Sequence, residues 1–333
     1  MSMENRKTTA SAPPRMMNAI IVGFNVVANH LALLILPVVL DLFLLLGPQF
    51  RIKSVFSPFI AQTLQALEQA NSPDITAMMN GASEIWYQFL DSFNLFSLIR
   101  TLPIGVPSLM AAQGVVENPL GAALEIEGPD LTTVLLIALA IILLGFTAGS
   151  LYYFLLARFT SEISDSPGLK DFFKKTGQAI ELSIGFFLFL AILIIPGLLL
   201  VSAIALINQT FGNFALLFAG FLLVWILFPL IFTPQALFAG KSNLLVSVMT
   251  SVRVVRQLLP GASVFIIVGL LFTQGMDVLW RVPPTSSWMV LVGIFGHAFI
   301  YTAIYAASFV YFRSGLRWML ENVQSVQAQE IKT

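Results

Sequence analysis

Cysteine is absent from this sequence, and charged residues are scarce. The 333 residues include only two histidines and 10% charged side chains, against about 25% in an average soluble protein. Without thiols the chain has no disulfides, no thiolate metal ligands and no cysteine nucleophile. The 17 basic and 17 acidic side chains balance, so no surplus of positive charge points to nucleic acid.

Hydrophobic residues make up 57% of the chain and gather into long runs. The first run has 28 residues and would form a helix of about 42 Å, longer than a hydrocarbon core of about 30 Å. The lipid bilayer is the solvent that suits such segments. We therefore expect an all-α, polytopic membrane protein with six transmembrane helices, at residues 19–46, 131–158, 179–207, 213–239, 260–280 and 286–312.

The one long region between spans lies at residues 48–130 and contains two amphipathic segments, 55–70 and 72–99. The apolar, proline-containing stretch 101–113 follows them, and it either lies on the membrane surface or fills a gap between spans. The predicted organisation is a disordered cytoplasmic tail (1–14), a first transmembrane span (15–47), an extracytoplasmic amphipathic helical region (48–130), a five-span bundle with two cytoplasmic interfacial helices (131–317) and a cytoplasmic tail (318–333).

Basic residues are distributed unevenly between the two sides that six spans would define. Thirteen of the 17 lysines and arginines fall on the side of the two termini, and four fall on the other side. Loops rich in lysine and arginine stay in the cytoplasm. The distribution predicts a multi-pass protein of the bacterial plasma membrane, with both termini cytoplasmic and residues 48–130 outside.

A few polar side chains interrupt the first and last spans near mid-depth. Such groups usually face the interior of a helix bundle, where they bond another helix or line a path for a solute or a proton. Both alternatives stay open, and both predict inward-facing side chains and close packing of the first span against the last. The candidate intramembrane polar site consists of Asn25, Asn29, His30, His297, Tyr301 and Tyr305.

Three further features carry structural expectations. Asp41 should lie near the outer membrane interface, where a carboxylate costs little. Asp277 and Arg281 are four residues apart on a helix and should form a local ion pair. The glycines of the GxxxG pattern Gly145–Gly149 allow another helix to approach closely.

Signs of catalysis are lacking. The sequence has no Gly-x-Ser-x-Gly motif, no His-Glu-x-x-His motif and no paired carboxylates within the spans. Two histidines without nearby carboxylates do not make a metal site. We therefore expect no catalytic residue, no metal and no cofactor.

The stretch SVMTSVRVVRQLLPG, residues 247–261, is an amphipathic helix with Ser251, Arg253 and Arg256 that leads into the next span. With the layout of the spans, it resembles a group of bacterial six-span membrane proteins of unknown function, similar to the membrane domain attached to some glycerophosphodiester phosphodiesterases. The resemblance covers spans two to six, and the long outer region 48–130 departs from it. No phosphodiesterase catalytic domain is present, so the resemblance implies no activity.

The leading functional hypothesis is a non-catalytic membrane protein that transports a small molecule or a lipid. The alternative is a scaffold or assembly factor that binds another membrane protein through its outer region. An intramembrane enzyme ranks third. A polar cavity that reaches the bundle centre would favour transport, and an exposed apolar patch on residues 52–113 would favour a scaffold.

Overall fold

The computed structural model describes residues 13–68, 73–114, 117–161, 168–240 and 243–330. The tail predicted for residues 1–14 and the start of the first predicted interfacial helix, at Ser166 and Pro167, fall largely outside these ranges. The described chain is almost entirely helical, which confirms the predicted fold class. Five of its helices are long and apolar enough to cross a membrane, and the first two helices together make a sixth span if they count as one broken helix.

Within the described ranges the chain forms eleven α-helices and four short 3-10 turns. The α-helices are α1 (Met16–Asn29), α2 (Ile35–Leu46), α3 (Lys53–Glu68), α4 (Pro73–Ser92), α5 (Leu131–Phe159), α6 (Leu169–Ile207), α7 (Gln209–Leu227), α8 (Thr233–Ala239), α9 (Leu244–Gln257), α10 (Leu259–Trp280) and α11 (Val290–Glu330). The 3-10 turns are Leu31–Leu34, Leu95–Ile99, Met110–Ala112 and Phe228–Leu230. Four short strands lie in the outer region: β1 (Gln49–Arg51), β2 (Glu117–Asn118), β3 (Gly121–Ala122) and β4 (Glu125–Glu127).

The first span is not the continuous helix that the sequence predicts. α1 ends at Asn29, a 3-10 turn follows, and α2 begins at Ile35. Pro37 explains the break, because proline has no N–H to donate to the carbonyl of Leu33 in a continuous helix. In the structure Pro37 is instead the third residue of a new helix, where no intrahelical donor is needed.

Two other boundaries differ from the prediction. The interfacial helix expected before span three is not separate, because α6 runs without interruption for 39 residues, through Pro196. No strong helix breaker stands between its amphipathic first turns and its apolar part, so both belong to one helix of about 58 Å. At the other end of the chain, α11 starts at Val290 rather than at residue 286 and continues to Glu330. The second predicted interfacial helix is present as α9.

The described chain divides into two compact units. Unit 1 contains Met1–His30, Tyr153–Leu270 and Ala303–Thr333, and unit 2 contains Leu31–Tyr152 and Leu271–Thr302.

In unit 1 the first helix packs against the last. A Cβ added at Gly23 would lie 2.5 Å from the carbonyl oxygen of Ala303 and 2.6 Å from the amide nitrogen of Ala307. Ala19 belongs to the same buried cluster as Phe265 and Tyr311, whose rings stack with their centres 4.7 Å apart. The predicted packing of the first span against the last is confirmed for this part of the chain.

Unit 2 contains residues 48–130 and the helix ends that support them. β1 pairs in parallel with β4, and β2 pairs antiparallel with β3. A buried cluster joins the foot of the α3–α4 hairpin to the first turns of α5; its members are Phe50, Ile52, Leu90, Leu95, Val134 and Ile141. The chain after α4 then enters the interior of unit 2, where Ile104 and Leu109 are fully buried.

Candidate functional site

The six predicted site residues do not come together. Asn25 and Asn29 are exposed on α1, so the inward orientation expected for them is wrong. His30 is half-buried, donates from Nδ1 to the carbonyl oxygen of Val26 at 3.0 Å, and lies against the ring of Phe159. Helical periodicity alone could not tell which face of α1 would be covered, because apolar residues surround the whole helix.

The two predicted residues of span six that lie in unit 2 are buried, as expected. His297 is 1% exposed and Tyr301 is 6% exposed. Their rings lie 4.2 Å apart between centres. Tyr305 belongs to unit 1, where it is half-buried with its ring 5.9 Å from that of Tyr153. Whether any of these residues has a functional role stays a prediction.

A carboxylate from the preceding helix completes a polar cluster around His297. The Tyr301 hydroxyl donates to Asp277 Oδ2 at 3.1 Å and accepts from Gln274 Nε2 at 3.0 Å. Asp277 Oδ1 lies 3.6 Å from His297 Nε2, too far for a good hydrogen bond. We call Gln274, Asp277, His297 and Tyr301 the polar cluster. The cluster corrects the expectation that neither histidine has a carboxylate nearby.

Several buried atoms of this cluster and its neighbour Trp280 lack partners. Within the described parts of the chain, Asp277 Oδ1, His297 Nδ1 and Trp280 Nε1 are buried and make no hydrogen bond. Buried polar atoms are bonded in the great majority of cases, so three neighbouring exceptions point to a bound group or water. Asp277 and His297 supply two candidate metal ligands, and the described residues bring no third histidine or carboxylate to them.

Two arginines act on the cluster electrostatically. Arg281 Nη2 lies 3.8 Å from Asp277 Oδ2, which confirms the predicted ion pair, and the Arg281 side chain is 41% exposed. The charge of Arg100 also acts on Asp277 and on His297. At the C-terminal end of α10, the partly exposed Arg281 therefore places positive charge beside the cluster.

Asp41 makes a second set of polar contacts within unit 2. Its position differs from the one predicted. Its side chain is fully buried rather than placed at an interface. It accepts hydrogen bonds from Ser108 Oγ at 2.5 Å and from the amide nitrogens of Leu109 and Met110, both at 3.0 Å. These three bonds satisfy the carboxyl group and fix the turn at residues 108–111 inside unit 2.

The GxxxG pattern of α5 receives that same irregular segment rather than another helix. A Cβ at Gly145 would lie 2.4 Å from the carbonyl oxygen of Ile99, and one at Gly149 would lie 2.8 Å from Gly105 Cα. Glycine is thus required on α5 because backbone passes directly over it. Of the two alternatives for 101–113, the structure favours a segment that fills a gap between helices.

An apolar groove of about 630 Å³ runs beside the polar cluster in unit 2. Its walls include Met276, Trp280, Val292, Phe295, Gly296 and Phe299. Trp280 contributes to both features, because its ring lines the groove and its buried Nε1 has no partner. The groove and the cluster thus follow adjacent stripes of α10 and α11.

Sequence reasoning assigned Asp277 only to an ion pair with Arg281 and did not single out Trp280, because the residues of α11 that they lie beside are distant in the chain. Asp277 lies twenty residues before His297, across the turn between α10 and α11. The sequence feature that could have predicted the contact between Asp277 and His297 is the short connection between α10 and α11, because consecutive helices joined by a short turn usually pack side by side.

Comparison with protein-family models, with curated proteins and with solved structures finds no match.

Proposed function

We propose that this integral membrane protein binds a lipid-like amphiphile in unit 2 and helps to move it within the membrane. The carrying observation is that the ring of Trp280 lines an apolar groove while its buried indole nitrogen, like Asp277 Oδ1 and His297 Nδ1, has no hydrogen-bond partner in the described chain. An amphiphile would place its chain along Val292 and Phe295 and its polar group at Asp277 and His297. Free acceptor and donor atoms at that end would then gain the partners that they lack.

The apolar lining of the groove favours an amphiphile over a hydrophilic solute as the ligand. A hydrophilic solute needs polar walls along its path, and the walls of this groove are hydrocarbon side chains. The exposed, positively charged margin at Arg281 suits a polar or anionic head group rather than a second chain. This favours the lipid over the small hydrophilic molecule, the other transport substrate that the sequence left open.

We further propose that the protein resides in the plasma membrane of a bacterium, with both termini in the cytoplasm. This orientation follows from the distribution of lysine and arginine and from counting α1 and α2 as one broken span. It puts the polar cluster in the outer half of the bilayer. An amphiphile would then enter from the outer leaflet.

A lipid-movement assay in proteoliposomes tests the proposal. The probe is phosphatidylethanolamine carrying an NBD group on its head, and dithionite destroys the NBD groups that reach the outer leaflet. We expect wild-type protein to accelerate the loss of the inner-leaflet signal. Val292→Trp, which fills the groove, and Asp277→Asn, which removes the charge but keeps the shape, should each slow that acceleration at least about tenfold, or about 1.4 kcal/mol.

The matched control is Ile267→Trp, which adds the same bulk to an exposed position on α10 away from the groove. It should behave as wild type. Thermal unfolding of each variant shows whether the protein is folded before the assay. Equal rates for wild type and protein-free vesicles, or an unchanged rate in Val292→Trp, would contradict the proposal.

The scaffold hypothesis keeps one observation in its favour. Exposed aromatic residues lie on the outer hairpin α3–α4, within the range 52–113 where a docking surface was expected. The experiment in the next section decides what covers them. No contact in the described chain supports a catalytic role, and we propose none.

A further inference from the structure

The exposed surface of α4 is divided lengthwise into an apolar and a polar flank. Ile85, Trp86 and Phe89 are 68%, 56% and 44% exposed and lie side by side on one flank. We call these three residues the aromatic stripe. The opposite flank exposes Glu84, Gln88 and Asp91. An amphipathic surface of this kind suits a boundary between lipid and water rather than bulk water.

The height of this hairpin can be derived from contacts within unit 2. Tyr152 of α5 donates to the hydroxyl of Thr302 of α11 at 2.9 Å, so these two residues lie at one level. Thr302 is twelve residues after the start of α11, or about 18 Å along it. Ile141 is eleven residues before Tyr152, or about 17 Å in the same direction. Ile141 is therefore about level with the outer end of the last span.

The foot of the hairpin lies between the levels of Ile141 and Val134, and Val134 is seven residues, or about 10 Å, farther from Tyr152 along α5. Leu90 of α4 is buried in one cluster with Ile141 and Val134 of α5. Phe89 and Trp86 are one and four residues from Leu90, so they lie within about 6 Å of it along the helix axis. The aromatic stripe thus stands at or beyond the level at which α11 begins, near the interface that ends the last span, where aromatic side chains are enriched in membrane proteins.

We propose that the aromatic stripe inserts into the head-group layer of the bilayer that the protein itself spans. The hairpin would then lie along the membrane surface, with its polar flank in water. Residues 54–99 contain no lysine or arginine, so attraction to anionic lipids does not drive the contact. Burial of apolar area drives it, and insertion should occur in zwitterionic lipid and persist at high salt.

The absence of native cysteine makes a direct test possible. Single cysteines replace Trp86 and Phe89 on the stripe, and Glu84 and Gln88 on the polar flank as matched controls on the same turns. Each full-length variant is labelled with NBD and reconstituted in phosphatidylcholine vesicles. Quenching is measured with iodide in water and with a lipid that carries a nitroxide on its head group.

We expect labels at 86 and 89 to be quenched strongly by the nitroxide lipid and at least threefold less by iodide than labels at 84 and 88. The same contrast should remain in 0.5 M salt, roughly three times physiological ionic strength. Iodide quenching that is equal at all four positions would overturn the proposal, since the stripe would then face water. Protection at 86 and 89 from both quenchers would also overturn it, because a protein partner or a second copy would then cover the stripe. This test does not depend on the amphiphile site.

Discussion

Replacing Asp41 tests whether one carboxyl group holds the segment 108–111 inside unit 2. Asp41→Ala removes the acceptor of Ser108 Oγ and of two backbone amides, those of Leu109 and Met110. An unsatisfied buried donor costs about 1–3 kcal/mol, so the two amides alone predict a loss of about 2–6 kcal/mol. Asp41→Asn keeps the shape and one acceptor oxygen, and it relieves the cost of burying charge, so its loss should be smaller.

Thermal unfolding followed by tryptophan fluorescence measures the effect, because the chain has five tryptophans and no cysteine for a thiol-reactive dye. A loss of about 2 kcal/mol or more should lower the Tm of Asp41→Ala by at least about 3 °C, with Asp41→Asn between it and wild type. Glu117→Ala removes an exposed carboxyl of the same region and should leave the Tm unchanged. A Tm of Asp41→Ala within about 1 °C of wild type would refute the role of this carboxyl group.

Three further predictions follow from contacts and charges of the described chain. Gly149→Ala should destabilise the protein by about 1–3 kcal/mol, because the added Cβ would lie 2.8 Å from the backbone of Gly105. Gly185→Ala is the control: a Cβ there meets nothing within 4 Å, so the Tm of the protein should stay unchanged or rise. The backbone and side-chain hydrogen bonds that Asp130 accepts at the start of α5 lower its pKa from 3.8. The stabilisation by the charged carboxylate is therefore present above pH 3.8 and is lost as the pH falls through the lower pKa of the folded protein. The Tm difference between wild type and Asp130→Ala should consequently shrink in acid. An impermeant thiol reagent should label Glu117→Cys but not Lys170→Cys in intact cells, and the opposite pattern would reverse the proposed orientation.

The helical fold class and most of the membrane-spanning segments could be predicted from sequence because apolar runs of this length have few alternatives. The start of α5 at Leu131 and the end of α10 at Trp280 coincide with a Gly-Pro stop before one and a Val-Pro-Pro turn after the other. Pro37 and Pro196 show the limit of the same reasoning. One begins a new helix and the other lies inside a continuous one, because neighbouring packing decides whether the missing hydrogen bond is tolerated.

The arrangement of polar residues could be predicted only in part. His297 and Tyr301 are four residues apart, so their shared face follows from helix periodicity. Their pairing with Asp277 depends on the register of α10 against α11, which hydrophobicity leaves undetermined when both helices are apolar all round. The same ambiguity explains Asn25, since an isolated polar residue on such a helix marks no face by itself.

Two buried aspartates of unit 2 illustrate how a structural contact differs from a candidate ligand site. Asp41 uses both oxygens in three hydrogen bonds, and its partners are fixed parts of the chain. Asp277 accepts from Tyr301 through one oxygen and leaves the other buried without a partner, and the imidazole of the neighbouring His297 has a buried Nδ1 that is also unbonded. A completed set of bonds stabilises one conformation and leaves nothing for a ligand to gain. An incomplete set is costly in the free protein, and a bound polar group that supplied the missing partners would remove that cost, so Asp277 rather than Asp41 is where binding energy is available.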